Sequence, residues 1–176
     1  MVIPNPGTRA QIYAERIEET NVALIAVLEG CSAADWTAVG PHETRSVGVI
    51  SHHVASAYPF AAGLVTALAS GQPLPAVTMQ MVHQLNAQHA AQYADCGKGE
   101  TIDLLRMNGA AAATAIAELG DEQLERTGAL ALVGGQTVSA GHVIEVLVLG
   151  HPREHLVSIR AALASVPRTP GGIGGI

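Results

Sequence analysis

Two histidines near the end of the chain are spaced so that they can share one metal ion. His151 and His155 stand four positions apart in the string Gly-His-Pro-Arg-Glu-His, and residues four apart lie on the same face of a helix. Imidazole nitrogen is a common ligand of zinc and of similar divalent metals. A third imidazole from another helix would leave one coordination position open, which is the arrangement of a catalytic rather than a structural site.

Helical phase selects the third histidine. In the second long helix, apolar residues recur with a period near 3.6, and His53 lies beside that apolar stripe. His52 falls on the opposite side of the same helix, where we expect it to face solvent. His142 is half a rotation away from His151 and is expected to point outward as well. The phase therefore predicts a metal site made of His53, His151 and His155.

The same histidines also have a purely structural explanation. A lone inward-facing histidine is more often a hydrogen-bonded core residue than a ligand. Burying three uncompensated imidazoles among alanine and leucine side chains is costly, however, and a shared cation offsets that cost.

Pro152 is the main objection to a continuous helix through the pair. Proline lacks the N–H of a helical hydrogen bond, clashes with the carbonyl of Val148 and biases His151 away from α geometry. One alternative is a helix that ends at Gly150 and a second helix that starts with Pro152 in its first turn. We favour a kinked helix, which keeps both imidazoles on one side.

A few further polar residues have open interpretations. Asn86 and His89 share one row of the third helix and can line the same pocket, although an amphipathic surface face explains them equally well. Glu145 and Glu154 are candidate hydrogen-bond partners for a ligating imidazole, and solvated helix charges are the alternative.

Capping residues and breakers divide the chain into long helices. We predict these to run from Thr8 to about Gly30, Ser46 to about Gly71 with a kink at Pro59, about Val77 to Ala94, Thr101 to Gly120, and Ser139 to about Ser165. A short turn is expected at 121–126. Residues 130–138 predict a hairpin around a Gly-Gly turn. Residues 1–166 should form one helical domain, followed by a flexible tail at 167–176.

Composition excludes several classes of partner. The net charge is −6 and no run of Lys or Arg occurs, which argues against a nucleic-acid surface. Residues 46–93 contain no Asp, Glu, Lys or Arg, but their glycines, prolines and many alanines favour a buried core helix over a membrane span. No signal peptide is visible. Cys31 and Cys96 do not form a disulfide framework and have no nearby base, so we expect a cytoplasmic protein.

On these residues, nearly the whole chain resembles the DinB-like superfamily, which includes bacillithiol and mycothiol S-transferases. The family's second helix usually starts Trp-Ser-Val and carries a histidine two turns later. Here Arg45-Ser46-Val47 precedes Ser51-His52-His53, and His53 has the matching offset. The late motif His-x-x-x-His is matched by His151 and His155, and Leu85-Asn86-Ala87 resembles a third-helix element of some members. Arg45 replaces the tryptophan, which is not a ligand.

The resemblance implies an all-α, up-down-down-up four-helix bundle, here with a small hairpin inserted before the last helix. It implies a divalent metal, most often nickel or zinc, held by His53, His151 and His155. The implied function is transfer of a low-molecular-weight thiol to an electrophilic small molecule, with the catalytic residues unassigned. The alternatives are a metal-dependent hydrolase and a non-catalytic bundle that binds a small ligand. We also expect a homodimer, since alanine-rich helix faces can pair and family members often do.

Overall fold

The computed structural model describes residues 8–41 and 43–167 of the 176-residue chain. The protein is mostly helical, as expected, with one two-stranded sheet. The helices are α1 (Arg9–Glu29), α2 (Ala33–Thr37), α3 (Val47–Ala69), α4 (Met79–Gln92), α5 (Lys98–Ala117), α6 (Asp121–Glu125), α7 (Ala140–Val143) and α8 (His151–Ser165). A π-helical segment, Ile144–Gly150, joins α7 to α8, and the strands are β1 (Thr127–Leu130) and β2 (Gln136–Ser139).

Capping hydrogen bonds start three helices where the sequence predicts. The side chains of Thr8, Ser46 and Ser139 each accept a hydrogen bond from the backbone N–H three residues later. Such bonds satisfy amides that have no partner inside the helix. The start of α5 differs from the prediction. The N–H of Thr101 already donates to the carbonyl of Gly97 at 3.0 Å, so Thr101 is a buried member of the first turn and not the cap.

The core lies where the long helices meet. α1 packs against α5, and α3 packs against α5 and against the continuous helix formed by α7, the π-helical segment and α8. Large side chains from each of these helices are almost fully buried, among them Ile17, Ile50, Leu105 and Ile159. α4 is different, because it contributes no fully buried side chain and packs against α3 from outside this core.

The predicted hairpin is present, but its connection is longer than a two-residue turn. Antiparallel pairing runs from Thr127 opposite Ser139 to Leu130 opposite Gln136. Residues Ala131–Val133, predicted to continue the first strand, form a 3₁₀ turn instead, which brings Leu132 into the core. The two glycines that follow have φ angles of +69° and +81°, in the left-handed region that other residues rarely adopt.

The segment leading into α3 is fixed by backbone and side-chain contacts. Val39 and Ser46 form an isolated antiparallel bridge, and the N–H of Val47 donates to the carbonyl of Ala38 at 2.9 Å. Trp36 packs on Gly48, where a Cβ atom would lie only 2.6 Å from the indole ring. The first turn of α3 and the residues just before it are therefore held in one position.

Two further predictions concern the ends and the environment of the chain. Of the predicted tail, only Pro167 belongs to the described residues, and 168–176 lie outside them. Across 8–41 and 43–167, the helices lack the combination of length and apolar character that crossing a membrane requires.

Candidate metal centre

Three histidines from distant parts of the chain converge on one point. The Nε2 atom of His151 lies 2.9 Å from Nε2 of His53 and 3.1 Å from Nε2 of His155. One ligand atom from each ring lies within 4.8 Å of the other two. Nitrogens bound to a tetrahedral zinc ion at 2.0–2.1 Å are about 3.3 Å apart. The three rings are therefore close enough to bind a single metal ion.

Hydrogen bonding alone does not account for this arrangement. A neutral imidazole carries one donor and one acceptor nitrogen. Nε2 of His151 has two nitrogen neighbours, but it can form a linear hydrogen bond with only one of them. The ring planes meet at 74° to 89°, so the rings face one another edge-on and are not stacked. A divalent cation at the centre would accept the lone pairs of all three, which is why the residues fit a metal.

The protonation state of the three rings suits metal binding. Burial, followed by the charges of His151 and His155, lowers the pKa of His53 to about 3. Burial also lowers the pKa of His155 to about 3 and that of His151 to about 4, with a smaller contribution from Arg45. All three are neutral at pH 7, and neutral imidazole is the form that ligates a metal.

A π-helical turn carries the helix through Pro152. The N–H of His151 donates to the carbonyl of Val146, five residues earlier, and His151 has helical angles of −56° and −49°. The expectation that Pro152 moves His151 away from α geometry is therefore wrong. The helix continues, as we favoured, because the wider turn shifts the hydrogen-bonding pattern just before the residue that has no N–H to donate. The side chains of His151 and His155 therefore lie on the same side of the helix.

The three histidines form part of the wall of a cavity of about 620 Å³. Its apolar lining comes from α3, α4, the 3₁₀ turn and the π-helical segment, and includes Phe60, Val82, Leu85, Leu132 and Leu147. Asn86 and His89 also line it, so the pocket interpretation of that row is confirmed. A cavity of this size and character suits a small organic molecule.

His52 does not face solvent, contrary to the prediction. It is half-buried, its Nδ1 lies 2.9 Å from Nε2 of His89, and its ring stacks on Tyr93 with centroids 3.9 Å apart. The prediction failed because it assumed that only one face of α3 is covered by other helices, whereas α4 covers the face that carries His52. His89 also lies edge-on to His53, with centroids 5.6 Å apart, so this group borders the three-histidine cluster.

The other residues that the sequence singles out do not belong to the three-histidine cluster. Glu145 forms an ion pair with Arg16 at 2.9 Å, and Glu154 is exposed. His142 is exposed, as the helical phase predicts. Burial raises the pKa of Cys31 and of Cys96, and both cysteines are free. Neither cysteine therefore has the character of a reactive thiolate.

Sequence reasoning missed Arg45 as a site residue. The sequence marks it only as a replacement for tryptophan, but its side chain lines the cavity. One signal was available: Arg45 is the last charged residue before the uncharged stretch 46–93 that supplies much of the cavity wall.

The chain matches no protein-family model, and comparisons with curated proteins and with solved structures likewise produced no match. The geometry and chemistry of the site therefore carry the functional argument.

Proposed function

We propose that this protein is a metal-dependent enzyme of the DinB-like kind that transfers a low-molecular-weight thiol to an electrophilic small molecule. The single observation that carries the proposal is the convergence of the Nε2 atoms of His53, His151 and His155 on the wall of an apolar cavity. His53 comes from α3, and the other two come from the last helix.

The ligand set supports a nickel or zinc ion. Three neutral imidazoles suit either metal, and no carboxylate belongs to the cluster among the described residues. Three protein ligands leave a coordination position open for a substrate. When bound, such an ion lowers the pKa of a coordinated thiol and so supplies a thiolate at neutral pH.

The chain's own residues provide the rest of the site. The apolar walls can hold the electrophile near the three histidines. In the transfer, the thiol sulfur forms a bond to the electrophilic carbon, the leaving group departs with its electron pair, and the thiol proton is released. Asn86 and His89 lie along the cavity where they can hydrogen-bond to the bound molecules.

We further propose that α1, α3, α5 and the last helix form an up-down-down-up four-helix bundle, with α4 and the hairpin as additions. The packing of α1 on α5 and of α3 on both α5 and the last helix supports it. The proposal includes a cytoplasmic homodimer, which sedimentation at micromolar concentration tests: a single species with the mass of one chain contradicts the dimer.

The enzyme proposal is tested by thiol consumption. Purified protein is mixed with cysteine as the probe thiol and 1-chloro-2,4-dinitrobenzene as the electrophile, before and after complete removal of metal by a chelator. We expect turnover that disappears on chelation, returns with nickel or zinc, and is lost in His151→Ala. His142→Ala is the matched control, because it removes an exposed histidine from the same helix. Turnover unchanged by complete demetallation rejects the mechanism.

Two other functions use the same observations. An open metal position also activates water, so hydrolysis is the second candidate, and release of 4-nitrophenol from 4-nitrophenyl acetate without thiol consumption would favour it. The large apolar cavity favours a third candidate function, which is the non-catalytic binding of a small ligand. Ligand binding that is unaffected in His151→Ala, in a protein that contains no metal, would select this last function.

A further inference from the structure

Among the described residues that line the cavity, Arg45 is the one cation. Arg45 lies directly before Ser46, the N-cap of α3, in the segment held by the bridge to Val39. Its side chain is 21% exposed and lines the cavity. Among the described lining residues, the others are apolar, neutral polar or histidine, so no carboxylate balances Arg45 from the cavity wall.

Arg45 keeps hydrogen-bond donors available. Its Nη2 donates to Oε2 of Glu43 at 3.1 Å, and the Glu43 side chain is 17% exposed. Glu43 does not line the cavity. A guanidinium carries five N–H donors, so one hydrogen bond to Glu43 orients the group without using up its capacity. Glu43 therefore competes with a bound anion for this cation.

The electrostatic surroundings favour an anion at this point. Arg45 lines the same cavity as His53, His151 and His155, so its charge acts on a molecule bound beside the three histidines. The cavity wall thus carries a cationic group although the chain as a whole carries a net charge of −6. Half-buried guanidinium groups pair with carboxylates through two parallel hydrogen bonds, and the weak screening of a cavity strengthens that pairing.

We propose that the cavity selects small molecules with an apolar body and a carboxylate, and that Arg45 is the specificity-determining residue that binds the carboxylate. The inference rests on the proposed function in placing the substrate in this cavity, and it names the substrate's chemical class. The apolar walls bind the body of the molecule, and Arg45 fixes its charged end beside the three histidines.

A matched pair of probes tests the proposal. We would titrate the full chain, as purified and after chelator treatment, with 2-naphthylacetate and with its neutral isostere 2-naphthylacetamide, following binding by calorimetry. The chelator-treated sample prevents a metal from capturing the carboxylate. We expect the acid to bind at least tenfold more tightly than the amide. R45M should bring the two affinities within about twofold while leaving the affinity for the amide unchanged.

Three variants separate specificity from a structural role. R153M removes an exposed arginine of α8 that bonds to Thr20, and it should retain the full preference for the acid. R45K should keep a smaller preference, because it preserves the charge without the planar pair of donors. E43Q should raise the affinity for the acid about two- to fivefold, since Glu43 no longer competes. A purely structural ion pair predicts the opposite, a loss in E43Q resembling that in R45M.

Several results would overturn the inference. Equal affinities for acid and amide in the unmodified protein would show that the cavity does not select a carboxylate. A full preference for the acid in R45M would show that a group other than Arg45 binds the carboxylate. An acid affinity in E43Q that is unchanged or lower contradicts the role assigned to Glu43. Selectivity that depends on Arg45 in a protein that binds no metal leaves this inference standing and removes the proposed function. Metal binding by the three histidines without selectivity for the acid removes this inference and leaves the proposed function standing.

Discussion

The Nε2 atoms of His53 and His151 lie 2.9 Å apart, although 98 positions separate the two residues in the chain. The pairing depends on α3 packing against the last helix, so the fold itself assembles the cluster. His155 joins from the next turn of α8, with its Nε2 3.1 Å from that of His151. The chemistry proposed for the site follows from these three half-buried, neutral imidazoles, which face one point.

Acid should destabilise the metal-free protein. The folded-state pKa values of His53, His151 and His155 are about 3, 4 and 3, below the 6.5 expected in the unfolded chain. Between pH 6.5 and 4 the unfolded chain therefore binds protons that the folded chain excludes, and stability falls as the pH falls through this window. From pH 7 to pH 5 we expect the free energy of unfolding, from urea titrations, to drop by at least about 2 kcal/mol.

The control for the acid effect is a variant that lacks one of the three half-buried rings. His155→Leu should show a smaller drop between pH 7 and pH 5, whereas His142→Ala, which removes an exposed ring, should behave like the unmodified protein. An equal drop in His155→Leu and in the unmodified protein contradicts the assignment of the effect to this cluster.

We expect the π-helical turn to require a glycine at position 150. A Cβ atom on Gly150 would lie 3.0 Å from the carbonyl oxygen of Glu145, closer than ordinary contact. Gly150→Ala should therefore lower the free energy of unfolding by about 1 kcal/mol and weaken metal binding by displacing the neighbouring His151. Urea titration and metal competition measure the two effects.

Gly63 provides the matched control for that substitution. It also lies inside a helix, α3, but a Cβ atom there would have nothing within 4 Å. Gly63→Ala should stabilise the protein by about 0.5–1 kcal/mol through the higher helix propensity of alanine. If Gly150→Ala behaved like Gly63→Ala, the close approach of Gly150 to Glu145 would have no role in the site.

His52 should hold α4 against α3. α4 has no fully buried side chain, and the contact of His52 with His89 and its stacking on Tyr93 link the two helices. His52→Ala should speed hydrogen exchange of the α4 amides about tenfold, with little change in global stability or metal content. The control His83→Ala removes an exposed histidine of α4 and should leave exchange unchanged. Exchange in His52→Ala that matches this control would show that other contacts hold α4.

Only part of the site was predictable from the sequence. Helical periodicity identified His53, His151 and His155 because each lies on a helix face that packs on the core. His52 was misplaced because its environment depends on α4, whose position is a tertiary property. Arg45 was not predicted as a site residue because it precedes the helix cap, where no periodicity applies.

The backbone structure was likewise predictable only where local hydrogen bonds determine it. The caps Thr8, Ser46 and Ser139 were predictable because their hydrogen bonds are local. The 3₁₀ turn that brings Leu132 into the core was not predicted, because contacts with residues distant in the sequence decide its burial. The π-helical turn was not predicted either, because a proline signals a kink or a break in a helix but not a change in its hydrogen-bonding pattern.

The most direct test is an X-ray structure of the protein grown with zinc, with anomalous data collected at the zinc absorption edge. We expect one strong anomalous peak at about 2.0–2.1 Å from the Nε2 atoms of His53, His151 and His155, and no such peak in crystals of His151→Ala. Crystals with full zinc occupancy elsewhere and no peak between these three rings would contradict the proposed metal centre.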